Sequence, residues 1–123
     1  MSIRRKLGAF GERLAVARLQ GLGYRILERN YRCQEGEIDI VAEEAGETVF
    51  VEVRSKRGEE FGSPEESLTP AKRERLLACA EAYLNEHPER PPQWRVDVVS
   101  VRLNKDGVLG EVRVIPNAVE AVG

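Results

Sequence analysis

The chain of 123 residues reads as one α/β domain with a mixed sheet, in the order helix, three strands, helix, two strands. Three observations predict this. Apolar residues recur at helical spacing in two segments. Short β-branched runs bounded by turn residues fill most of the rest. A strand–helix–strand passage over about 48–103 calls for a right-handed crossover between parallel strands. The length suits a single domain, and a chain of this size buries roughly two thirds of its unfolded surface.

The elements follow in order. Leu7, Phe10, Leu14 and Ala17 mark a helix over about 5–21, which Gly21 and Gly23 end. Residues 24–30, "YRILERN", form a strand. Strands at about 37–42 and 48–54 flank a Glu-Glu-Ala-Gly-Glu turn, a hairpin signal. The polar stretch "RGEEFGSPEESLTP" is a loop. It ends in Thr69-Pro70, a helix cap with proline in the first turn. The second helix runs over about 70–85 on Leu76, Leu77, Ala80, Tyr83 and Leu84, and "NEHPERPPQ" stops it. "WRVDVVSVRL" is a strand, Asn104 to Gly107 a turn, and "VLGEVRVI" the last strand.

Composition removes several classes of chemistry. Charged residues make up 33% and hydrophobic residues 41%, an ordinary globular balance. No apolar run approaches the roughly 20 residues of a membrane span. The N-terminus is basic but has no apolar signal-peptide core, so the expected location is the cytoplasm, with no membrane partner. Cys33 and Cys79 form no C-x-x-C pair and are expected to be thiols in a reducing compartment, Cys79 in the core. His87 is the one histidine and lies beside Pro88 in a loop. A Ser-His-Asp triad and a Cys/His zinc site are therefore excluded. Chemistry falls to carboxylates, lysine, arginine and a metal ion. The net charge is −2, but basic residues cluster at Arg4-Arg5-Lys6, at Arg54 with Lys56-Arg57, and at Lys72-Arg73 with Arg75. Most such clusters are solvated surface.

The hairpin holds two misplaced acids. Asp39 lies between Ile38 and Ile40, and Glu52 between Val51 and Val53. With Ala45 and Gly46 as loop residues, Ile40 faces Val51 and Ile38 faces Val53 on one aliphatic face. On the other, Val41 meets Phe50, Glu37 meets Arg54, and Asp39 meets Glu52. Opposed carboxylates about 5 Å apart destabilise a sheet. A shared proton, a cation such as Arg54, or a divalent metal would offset the repulsion. An exposed polar face that tolerates it is the plain alternative, although Val41 and Phe50 on that face imply partial burial. Glu12, on the first helix near Ala15, Val16 and Leu19, is a further acid beside apolar neighbours; such a residue more often marks an interface boundary than a site.

"GEIDIVA" followed by "VFVEVRSK" resembles the PD-(D/E)xK nuclease signature. The longer stretches "FGERLAVARLQGLGYRILERNYRCQEGEIDIVA", "FVEVRSKRGEEFGSPEESLTPAKRERL" and "RVDVVSV" resemble the YraN-like family of uncharacterised bacterial proteins, over about residues 8–115. Asp-x(n)-Glu-x-Lys alone is a weak motif; the ordered set from Gly11-Glu12 through Asp97 is much more specific. The resemblance implies a restriction-endonuclease-like, three-layer core with about five strands, likened to Holliday junction resolvases. It implies Asp39 and Glu52 as metal ligands with the Val53 carbonyl, Mg2+ as the metal with Mn2+ as substitute, and Glu12 as an assisting acid. The signature lysine is Arg54 here. Arginine stays protonated and cannot serve as a general base, but it can steady charge in the transition state. Lys56, two residues on along the same strand face, can reach back toward the site.

Lys72, Arg73 and Arg75 open the second helix, where cations oppose the helix dipole. A docked phosphate would explain the placement; local neutralisation by Glu65, Glu66 and Glu74 is the bland account. Lys56, Arg57 and the Arg4–Lys6 arm would extend the contact with DNA. Trp94 and Tyr31 are expected to be buried rather than to stack on bases. With these residues, the resemblance implies a Mg2+-dependent DNA endonuclease with branched DNA as candidate substrate and, by likeness to resolvases, a homodimer as candidate assembly, although nothing in the sequence itself marks a dimer face. The alternatives are a DNA-binding module without turnover and a protein–protein adaptor.

Overall fold

A computed structural model describes residues 3–57, 68–104, 106 and 109–119. Among the described residues the elements are α1 (Ile3–Gly21), β1 (Arg25–Cys33), β2 (Gly36–Glu44), β3 (Glu47–Arg57), α2 (Pro70–Glu86), β4 (Trp94–Leu103) and β5 (Leu109–Val119). The five strands form one sheet in chain order. β3 and β4 are parallel, and every other neighbouring pair is antiparallel. Among the described residues no helix is long and apolar enough to cross a membrane.

Each helix covers one face. Ala15 and Leu19 of α1 pack with Ile40, Ala42, Val49, Val51, Val99 and Val101. Leu76, Cys79, Ala80 and Tyr83 of α2 pack with Ile38, Val41, Phe50, Val96 and Val98. The result is helix, sheet, helix, with the two cores separated by the sheet. Phe50 anchors the α2 side, edge-on to both Tyr83 and Trp94 at 5.6 and 5.8 Å. Tyr31 is buried and Trp94 half-buried in that core, so neither presents a free face to a base. Thr69 caps α2 through the Lys72 N–H, with Pro70 opening the helix.

The hairpin turn is as expected. Glu44 faces Glu47 around Ala45 and Gly46, whose φ values of 52° and 78° are the left-handed pair a two-residue hairpin needs. The pairs Ile40–Val51 and Val41–Phe50 also form. Beyond Ile40–Val51 the expected register is corrected. Ile38 does not share a face with Ile40; it packs under α2, whereas Ile40 packs under α1. The period-two alternation therefore breaks at Asp39. β1 switches face at the same level: Arg29 lies across from Ile40 and Tyr31 from Ile38, and the intervening Asn30 has φ 56°. Asparagine is among the few side-chain-bearing residues that adopt this conformation readily. β1 also runs on past residue 30 to Cys33.

The cysteines are a second correction. Cys33 and Cys79 are joined as a disulfide, with Cα atoms 5.8 Å apart, and no cysteine is free. Their 46-residue separation hid the pairing. It follows from topology, because the end of β1 passes beneath the buried face of α2. The expected loop over 58–67 and the side chains of Arg4–Lys6 and Arg57 lie outside the described residues.

Candidate active site

Asp39 and Glu52 lie where β2 and β3 stop pairing. The ladder between these strands ends at Ile40–Val51, so the two acids do not face each other as a cross-strand pair. The Asp39 carboxylate instead takes a ladder position: the Val53 N–H donates to its Oδ2 at 2.8 Å. Strand N–H groups lie in the plane of the sheet. The break in alternation thus turns Asp39 sideways toward β3 rather than onto either face. Burial, then the Glu52 charge, push its carboxyl up to about 7, and the Val53 N–H pulls the other way.

Glu52 lies on the α2 side of β3, in line with Phe50. Burial lifts its carboxyl above the usual range, while Arg54 and Lys72 act to lower it. Arg54 Nη1 stands 3.7 Å from Glu52 Oε1, with side chains only 20% and 18% exposed. Arg54, one of the counter-charges the sequence offered, thus stands beside Glu52 and not beside Asp39. Glu12 of α1 approaches from the opposite face, close enough to raise Asp39 further. Its Oε1 accepts from Arg29 Nε at 3.1 Å. Arg29 is a site neighbour that sequence reading missed; a charged residue on a half-exposed strand gives no signal until the helix above it is known.

A cleft of about 160 Å3 opens on the α2 side, lined by Gly36, Glu37, Glu52, Lys72, Arg75 and Leu76. One wall is acidic and comes from β2 and β3. The other is the first turns of α2, where Lys72 and Arg75 are three residues apart and share a helix face. Glu37 also stands 3.9 Å from Arg32, its partner on β1; the expected Glu37–Arg54 pair is not part of the β2–β3 ladder, which ends at Ile40–Val51. Two further expected cations, Arg73 and Lys56, do not line the cleft. Arg73 turns back to donate from Nε to the Leu68 carbonyl at 3.2 Å. Lys56 is half-buried further along β3 and does not line the cleft.

The geometry brings together Asp39, Glu52, the Val53 backbone and, from across the sheet, Glu12. Among the described residues no three Asp, Glu, His or Cys side chains converge into a metal centre of their own. The carboxylates of Asp39 and Glu52 are hard oxygen donors, the kind that suits Mg2+ or Mn2+ rather than a soft metal. The nearby sulfurs are bonded to each other. Asp97 is not part of this set. It is fully buried on β4, where Tyr24 Oη, Arg95 Nε and the Asn117 N–H donate to it at 2.9 to 3.0 Å.

Residues 11–101 match the model of a family described as uncharacterised protein family UPF0102. A UPF0102 protein of Roseiflexus castenholzii is 46% identical over 119 residues, covering 95% of each chain. One from Symbiobacterium thermophilum is 44% identical over 117 residues, covering 95% of this chain and 98% of that one. One from Moorella thermoacetica is 47% identical over 115 residues, covering 94% and 96%. Among solved structures, Pyrococcus furiosus SfsA in complex with Ca2+ is 18% identical with a TM-score of 0.34, covering 96% of this chain and 65% of that one. That likeness is too slight to bear on fold or function.

Proposed function

Since the chain belongs to the UPF0102 family, whose description states no activity, we propose from its site that it is a metal-dependent DNA endonuclease. The reading includes a restriction-endonuclease-like core of the PD-(D/E)xK type, with branched or junction DNA as substrate. A homodimer belongs to the same reading, because a junction presents two symmetric strands. One observation carries it: a single cleft sets Glu37 and Glu52 against Lys72 and Arg75, with Asp39 beside its acidic wall. A phosphodiester needs cations for its oxygens, and the acids need a cation of their own. A divalent ion held between acids and phosphate answers both.

Asp39, Glu52 and the Val53 carbonyl would hold Mg2+, or Mn2+ in its place. When bound, such an ion supplies a water of lowered pKa and draws charge from a phosphate oxygen. The Val53 N–H keeps the Asp39 carboxylate oriented. Lys72 and Arg75 would bind the phosphate backbone, with Lys56 and Arg57 extending the track. Arg54 remains cationic throughout, so its part is to balance charge beside Glu52, not to accept a proton. Glu12 would assist from the α1 side.

Calorimetric titration of Mg2+ and Mn2+, with branched-DNA cleavage run on the same samples and repeated with DNA present, tests the reading. Asp39→Asn should abolish both metal uptake and cleavage while leaving the thermal melt cooperative. Cleavage that survives in Asp39→Asn sinks the assignment. A second reading, a DNA-binding module without turnover, is favoured by the Arg54–Glu52 ion pair at the lysine position. It expects salt-sensitive DNA binding, no cleavage with any divalent ion, and a gain of cleavage in Arg54→Lys.

A further inference from the structure

The Cys33–Cys79 bond lies beside the cleft and joins α2, which forms one wall, to the end of β1, which pairs with the start of the other. Cys33 ends β1 and pairs with Gly36, the residue that begins the acidic wall. Cys79 lies on the buried face of α2, one turn beyond Arg75 and two beyond Lys72. The packing there is close. A Cβ on Gly36 would stand 3.7 Å from Arg75 Cβ and 3.9 Å from Cys79 Sγ. Thus the disulfide fixes the spacing between Gly36-Glu37 and the helix that carries Lys72 and Arg75.

We propose that Cys33 and Cys79 form a thiol–disulfide modification site that sets the alignment of the cleft walls. In the oxidised form the walls are held in register for an anionic ligand, and in the reduced form they part. Two thiol sulfurs cannot remain at covalent distance, so reduction parts the two side chains and removes the covalent tie between α2 and the β1–β2 turn. Lys72 lies seven residues from Cys79, about 10 Å along the helix axis. A small tilt at the sulfur is therefore magnified at the cation.

The chemistry balances with a dithiol reductant. Cys33 is half-buried whereas Cys79 is fully buried, so a reductant thiolate attacks Cys33 Sγ. The S–S bond breaks and Cys79 leaves as a thiolate, which takes a proton. The second reductant thiol then displaces Cys33, which leaves as a thiolate and is protonated in turn. Two electrons and two protons pass to the protein, and the dithiol ends as its own disulfide. A disulfide that is opened and closed in this way is the kind found in reducing compartments.

The ligand side of this inference rests on the proposed DNA-binding cleft, so its test carries a readout independent of DNA. The full chain is prepared oxidised and dithiothreitol-reduced, with thiols counted by alkylation and mass spectrometry. Zero thiols should become two. Amide hydrogen exchange over residues 34–38 and 69–79 should speed at least tenfold on reduction, and a labelled branched DNA should bind about tenfold more weakly. The Cys33→Ser, Cys79→Ala double variant should match the reduced form under both conditions. Two free thiols in the oxidant-treated protein, or unchanged exchange in these segments after verified reduction, overturns the proposal. Faster exchange with no DNA binding in either form upholds the latch and instead removes the nucleic-acid reading.

Discussion

In the unfolded chain Asp39 ionises near the ordinary aspartate value of about 4, whereas in the fold burial and Glu52 push it up to about 7. The sign of the linkage follows. Below pH 4 the group is protonated in both states and costs nothing. Between pH 4 and 7 the unfolded chain loses the proton while the folded one keeps it, so stability falls as pH rises. Above pH 7 the loss is complete, on the order of a few kcal/mol. With chelator present, Asp39→Asn should therefore melt at higher temperature than the wild type at pH 7.5, and the gap should close toward pH 4. A constant gap across that range would show that Asp39 is not ionised against resistance. The same residue was legible in sequence only as an oddity. An acid between two isoleucines signals a conflict, but the sideways turn that resolves it needs Asn30 and the break in alternation, neither of which strand periodicity can express.

At the level of elements, α1 lies unusually close to β3. Gly11 is buried in mid-helix, and a Cβ there would overlap the Ser55 hydroxyl and stand 3.3 Å from Ser55 Cβ. Helix propensity alone favours alanine at such a position by about 1 kcal/mol. Overpacking works against it by about 1–3 kcal/mol. Gly11→Ala should accordingly be destabilising, and Ser55→Ala in the same chain should recover most of the loss, as urea titration of the four-member cycle would reveal. Simple additivity would count against the contact. The elements themselves were readable because their signals are local: Thr69-Pro70 at the start of α2, Ala45-Gly46 in the hairpin, and valine-rich β4. The disulfide and the Arg29–Glu12 pair were not, since each joins residues that only the packed layers bring together.

For the whole molecule, the end of the sheet away from the cleft is locked by charge. Arg95 reaches Glu44 at 2.9 Å, Asp97 at 3.0 Å and Glu47 at 3.4 Å, and donates to Tyr24 Oη at 3.1 Å. One guanidinium thus ties the hairpin turn, β4 and the start of β1 together. Arg95→Met would leave the Asp97 carboxylate, fully buried, without its cation. Breaking a buried pair from one side costs roughly 3–5 kcal/mol, so Tm should drop by more than about 10 °C. A drop of only a degree or two would mean that Tyr24 and Asn117 suffice to hold the charge.

The parallel pairing of β3 with β4 also orders events in time. Every β3–β4 pair joins residues 46 apart, whereas the β2–β3 contacts begin at Glu44 and Glu47 across a two-residue turn. Short-range closure is fast and long-range closure is slow. On a growing chain, Glu12, Asp39 and Glu52 are all synthesised and can be gathered by the meander before Lys72 and Arg75 have emerged. The acids are thus assembled first, with their repulsion unrelieved by the far wall. On the same reasoning α2 would dock over them next, and the Arg95 lock, which needs β4, would close last.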